Sequence, residues 1–111
     1  MRESVLGYDE VDAALEEQQL NWSRHGDELV TTVTLHDFRA ALEFVNAVGA
    51  AAEAANHHPD IDIRWNKVRL ALTTHDAGGL TLLDLALAAA VDRLRPDVWD
   101  PGDTDAGDAA D

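Results

Sequence analysis

Polar and apolar positions change their period several times along the chain, and each change marks an element. Residues 9–17, Asp9-Glu10-Val11-Asp12-Ala13-Ala14-Leu15-Glu16-Glu17, set Val11, Ala14 and Leu15 at helical spacing with acids toward the start, and predict a short surface helix. Leu20 to His25 and Glu28 to Leu35 flank the turn residues His25-Gly26-Asp27. Leu29, Thr31, Val33 and Leu35 alternate with Val30, Thr32 and Thr34, so a period of two in a β-branched stretch predicts a hairpin. From Phe38 to about Ala55 the polar residues Arg39, Glu43, Asn46 and Glu53 fall on one stripe, and nearly everything else is apolar or small. A helix with so wide an apolar face is expected to be covered on more than one side, in a chain of this size by another subunit. Asp37 sits at its start, and His57-His58-Pro59 ends it, because proline pushes the residue before it out of helical geometry.

The period of two then returns. Ile61, Ile63 and Trp65 alternate with Asp62 and Arg64, and Val68, Leu70, Leu72 and Thr74 alternate with Arg69, Ala71, Thr73 and His75, which predicts two strands joined tightly around Asn66-Lys67. After the loop Asp76-Ala77-Gly78-Gly79, Thr81 reads as an N-cap, Asp84 takes the capping-box position and Leu80 faces Leu85 as a hydrophobic staple. The last helix runs to about Leu94 and Pro96 closes it. The order α-β-β-α-β-β-α describes an α+β fold, a four-stranded antiparallel sheet with helices packed on one face. Such a sheet has two edges, and pairing between subunits is an economical way to cover them.

Composition bounds what this fold can be. A chain of 111 residues holds one compact domain, placed at 1–96, followed by an acidic segment 97–111 that reads as a disordered tail. Without cysteine there is no disulfide framework, thiolate metal site or cysteine nucleophile. No apolar run approaches the ~18 residues of a membrane span, and Met1-Arg2-Glu3-Ser4 has no apolar stretch behind it, so the expectation is a cytoplasmic protein with no membrane partner. The net charge of −14, from 22 acids against 8 bases, would repel nucleic acid. That charge is uneven: residues 1–30 carry eight acids and two bases, 31–96 eight and six, and 97–111 six and none. A site is therefore expected in the nearly balanced middle.

The middle segment holds His57, His58 and His75, two at a helix end and one at a strand end. Imidazole, with an ordinary pKa of ~6.5, suits proton transfer at neutral pH. The plainer alternative is that adjacent histidines cap the negative end of a helix while His75 decorates a strand end. A metal site built from these histidines and Glu53 is disfavoured, because neighbouring side chains diverge and Glu53-x-x-x-His57 is not a His-Glu-x-x-His pattern. His25, in a turn, and His36, before a helix, are expected to be solvated.

The run Glu53-Ala-Ala-Asn56-His57-His58-Pro59, then Trp65-Asn66-Lys67-Val68, then Thr74-His75-Asp76-Ala77-Gly78-Gly79-Leu80-Thr81-x-x-Asp84 resembles the pterin-4a-carbinolamine dehydratase family, with Trp22 and the Asp37-Phe38 helix start in keeping. The similarity spans about Leu20 to Leu94. The resemblance implies dehydration of 4a-hydroxytetrahydrobiopterin, or a related 4a-hydroxytetrahydropterin, to quinonoid dihydropterin and water, in support of tetrahydrobiopterin recycling. It implies His57, His58 and His75 as catalytic groups, with His58 and His75 nearest the departing hydroxyl, and Glu53, Pro59, Trp65, Thr74, Asp76 and Asp84 around the substrate. Trp65 stands where many members have tyrosine, which keeps the aromatic ring and loses a hydroxyl. Water elimination changes no oxidation state, so neither redox cofactor nor metal is expected. Family members are dimers or tetramers, and a homodimer or homotetramer is expected here. The resemblance also admits a non-catalytic pterin-binding or protein-interaction module, such as an accessory to molybdenum-cofactor metabolism; animal members also assist dimerisation of a homeodomain transcription factor.

Overall fold

The computed structural model describes residues 4–96, so the acidic segment 97–111 lies outside the described residues. The elements are α1 (Tyr8–Glu17), β1 (Ser23–His25), β2 (Glu28–Thr34), α2 (Phe38–Ala55), β3 (Asp60–Arg64), β4 (Lys67–Leu72) and α3 (Leu82–Asp92). All four strands pair antiparallel in the order β1-β2-β4-β3, which leaves β1 and β3 as edges. This is the α+β arrangement that the polar pattern predicts.

The alternation in β2 sorts the two faces of the sheet. Leu29, Thr31, Val33 and Leu35 are buried with Val68, Leu70 and Leu72 of β4, and three helices supply the other half of the core through Val11, through Ala41, Phe44, Val48 and Ala52, and through Leu85, Leu87, Ala88 and Val91. The four buried residues of α2 form one stripe at spacings of three and four. The other apolar side chains of α2 are left partly outside: Phe38 is 46% and Leu42 41% exposed.

Three boundaries differ from the sequence reading, each for a local reason. β1 starts at Ser23 rather than Leu20 because α3 captures the preceding residues: Asn21 N–H and the Trp22 indole N–H both donate to Asp92, at 2.8 and 3.0 Å. The β3–β4 turn falls on Trp65-Asn66, one residue early, with Trp65 at φ 55° and Arg64 paired to Lys67. β4 ends at Leu72, and Thr74 continues only as an isolated bridge to Gly79.

Candidate active site

The three histidines of the middle segment converge because the end of α2 and the segment leaving β4 meet at one end of the sheet. α2 stops where Asn56 takes left-handed geometry (φ 51°, ψ 43°), and the His57 N–H closes the last turn on Ala52 O at 3.1 Å. That reversal throws His57 and His58 against the segment leaving β4. There, the Thr74 carbonyl accepts from Ala77 and Gly78, Gly78 adopts φ 80°, and Thr74 N–H donates to Gly79 O at 3.1 Å. The tight loop turns the chain back so that the start of α3 lies beside Thr74. Asn56, His57, His58, Thr73, Thr74, His75, Asp76 and Leu83 line the resulting cleft of about 300 Å³.

Behind the cleft is a closed hydrogen-bond chain. Asp84 is 0% exposed, and its Oδ1 lies 2.6 Å from His57 Nε2. Its Oδ2 accepts from the Thr74 hydroxyl at 2.7 Å and from Thr81 N–H at 2.9 Å. Since the Thr74 proton is committed to Asp84, the 2.8 Å contact between the two threonine hydroxyls must be donated by Thr81, whose oxygen in turn accepts from Leu83 N–H at 3.2 Å. Both Asp84 oxygens and the two threonine hydroxyls are thereby satisfied, as burial demands. Oδ1 is then the acceptor for His57, which fixes the Nε2–H form of the ring and leaves Nδ1 as the nitrogen available to a ligand. Asp84 is thus both the capping-box residue of α3 and the anchor of His57.

The other two histidines are held differently. His58 Nε2 is hydrogen-bonded to Glu53, one turn back on α2; this pair is solvated, with side chains 54% and 79% exposed. His75 is exposed and makes no side-chain hydrogen bond among the described residues. The cleft therefore offers one buried, orientation-locked imidazole beside two accessible ones. Among the described residues, no group of three or more His, Asp or Glu side chains is placed to hold a metal ion.

Of the residues singled out in the sequence, His57, His58, His75, Thr74 and Asp76 line the cleft, Asp84 sits directly behind it, and Glu53 reaches it through His58. Pro59 is half-buried and outside the lining. Trp65 is not brought there: β3 leaves the cleft at Asp60, and five residues at ~3.3 Å each carry Trp65 to the far end of the hairpin. Its indole N–H is buried without a hydrogen-bond partner among the described residues. Asn56, Thr73 and Leu83 were assigned no role at the site, and Thr81 only that of the helix cap. Asn56 carried a signal, since it precedes the histidine pair at a helix end where left-handed geometry favours Asn.

A family model described as Pterin 4 alpha carbinolamine dehydratase matches residues 4–94. The chain belongs to that family. Among relatives named after the same dehydratase, one from Chloroflexus aurantiacus is 61% identical over 77 residues, covering 69% of this chain and 83% of that protein. Another from Nocardia farcinica is 46% identical over 94 residues, covering 85% and 98%. The solved structure of a transcriptional coactivator/pterin dehydratase from Brucella melitensis superposes with a TM-score of 0.77 at 26% identity, covering 84% of this chain and all of that one. A pterin dehydratase-like RuBisCO assembly factor of the α-carboxysome shares the fold, with a TM-score of 0.55 at 22% identity over 68% of this chain and 87% of its own. Pterin-4a-carbinolamine dehydratase membership accounts for the whole described fold. No described helix is long and apolar enough to cross a membrane.

Proposed function

We propose that this chain dehydrates a 4a-hydroxytetrahydropterin, such as 4a-hydroxytetrahydrobiopterin, to the quinonoid dihydropterin. The observation that carries the reading is the orientation-locked His57 sharing one cleft with His58 and His75. The reaction removes the proton on N5 and the hydroxyl on C4a; the N5–H electrons form the N5=C4a double bond, and the hydroxyl leaves with one added proton as water. His57 Nδ1, with Nε2–H committed to Asp84, accepts the N5 proton. His58 or His75, open to solvent, protonates the departing hydroxyl. Asp76 and Thr74 face the same space and contact the pterin, and Glu53 sets the ring of His58. The product is a substrate for a reductase that regenerates the tetrahydropterin, and the protein works as a homo-oligomer in the cytoplasm.

The deciding measurement is the rate of absorbance change when purified protein is mixed with freshly made 4a-hydroxytetrahydropterin. A positioned acid or base contributes ~10² to 10⁴-fold, so whichever of His58→Ala and His75→Ala removes the acid is expected to lose about that much while circular dichroism is unchanged. Wild-type rates in both variants would sink the mechanism. The names of the two solved structures make a non-catalytic role the competing reading. It is favoured if the wild-type protein binds a pterin without accelerating dehydration.

A further inference from the structure

His75 differs from the other two histidines of the cleft in what holds it. Asp84 fixes the ring of His57 at 2.6 Å and Glu53 bonds that of His58, whereas His75 has no side-chain hydrogen bond among the described residues. Its position is therefore set by its backbone, the loop from Thr74 to Gly79. Thr74 ties that loop from within: its carbonyl accepts from Ala77 N–H and Gly78 N–H at 3.0 Å each, and its N–H donates to Gly79 O at 3.1 Å. The outgoing end, Gly79-Leu80, is braced by another part of the chain.

That brace is the segment ahead of α1. Leu6 N–H donates to Leu80 O at 2.8 Å, and the Leu6 side chain packs on the core. Val5 crosses Gly79 so closely that a Cβ there would lie 3.0 Å from Val5 Cγ1 and 3.6 Å from Cγ2. The first distance falls short of the ~3.5 to 4.0 Å at which carbon atoms rest. The backbone of Gly79 does not itself call for glycine, since the positive φ of this loop belongs to Gly78. What crowds a side chain at Gly79 is Val5. Beyond Leu6 the segment is anchored twice: Gly7 N–H donates to Glu10 at 2.9 Å, and the Tyr8 hydroxyl donates to Asp27 at 2.9 Å.

We propose that Val5 and Leu6 form a strap that positions His75 by clamping the Gly79-Leu80 end of its loop. Val5 is 50% exposed, so the strap belongs to the least stable part of the structure and opens without unfolding the sheet. Opening lets the loop carry the imidazole of His75 away from His57 and His58, which stay pinned by Asp84 and Glu53. A misplacement of about 1 Å costs up to about 10²-fold in rate when the displaced group takes part in the chemistry. The placement of His75 by the strap holds whatever the cleft binds, and its effect on rate rests on the dehydration proposed above.

The test exchanges bulk across the contact in the full chain. Gly79→Ala drives a methyl against Val5, Val5→Ala removes both γ-carbons that this methyl would meet, and the double variant refills the contact. Amide exchange at Leu6 reads whether the strap is closed, and the Cε1–H NMR signals of the histidine rings read which imidazole moves. Each single variant is expected to exchange several-fold faster at Leu6, to shift or broaden the His75 signal alone, and to lose kcat several-fold at unchanged KM. The double variant should return all three toward wild type. A His75 signal unmoved in both single variants overturns the proposal. So does a double variant whose changes are the sum of the two, the behaviour of sites that do not act on each other. If the His75 signal follows the expected pattern while the wild-type protein leaves dehydration unaccelerated, the strap stands and the proposed reaction falls.

Discussion

Asp84 is an ionisable group with no exposed surface, a situation that costs several kcal/mol unless hydrogen bonds replace the lost water. His57, Thr74 and Thr81 supply that replacement, and the arrangement makes unequal predictions for its members. Asp84→Ala strands three donors and is expected to lower stability by about 3 kcal/mol or more in urea unfolding, and to abolish dehydration. Thr81→Ser keeps the hydroxyl and should behave as wild type in both measurements. Thr81→Val removes the donor to Thr74 and the cap acceptor for Leu83, and should cost about 1 kcal/mol while changing the pH profile of the rate through the position of His57. A Thr81→Val protein with the wild-type profile would show that Thr81 serves the helix alone. Sequence reasoning found Thr81 and Asp84 as a local pair three residues apart. It could not find the pairing of Asp84 with His57 from spacing, because 27 residues separate them and only the packing of α2 against α3 brings them together.

The strands were legible because a half-buried sheet enforces a period of two, and α2 and α3 because their caps are written in Asp37 and Thr81. Where an element answered to a distant partner, the sequence was silent: Asp92 shortens β1 from 70 residues away. α1 is a further case, being short and weakly apolar, yet fixed to the hairpin by one arginine. Arg24 donates to both oxygens of Asp12 at 2.8 and 3.1 Å and stacks over the Tyr8 ring at 4.3 Å, while Tyr8 donates to Asp27 at 2.9 Å. The hydrogen bonds from Arg24 hold the Asp12 carboxyl below its ordinary value, and the bond to Asp27 holds the Tyr8 phenol above its own. A carboxyl depressed by folding stabilises the folded state above the unfolded value of ~3.9 and loses that contribution as pH falls through the folded value. Amide exchange in α1 is therefore expected to accelerate below pH ~4 before exchange in β2 and β4 does. Uniform acceleration across these elements would contradict this attachment.

At the scale of the molecule, one side of α2 is finished and the other is not. Phe38 and Leu42 stand exposed one turn apart, with half-buried Val45 continuing the stripe. Water contact at such positions costs ~25 cal/mol per Å², and a second α2 is the natural cover. Light scattering at micromolar concentration is expected to give a multiple of the chain mass, and Phe38→Glu/Leu42→Glu to give the single chain with circular dichroism retained. A single-chain mass for the unaltered protein would refute the assembly. Charge is also distributed at this scale: the core segment that holds the cleft is nearly neutral, and the acids sit toward the two ends.

The double duty of Asp84 has a dynamic consequence. One carboxylate starts α3 and also holds the imidazole, so the first turn of that helix cannot fray without freeing His57. The fraction of molecules with a competent cleft therefore cannot exceed the fraction in which the first turn of α3 is formed. Heating or denaturant should extinguish turnover while most of the sheet is still intact.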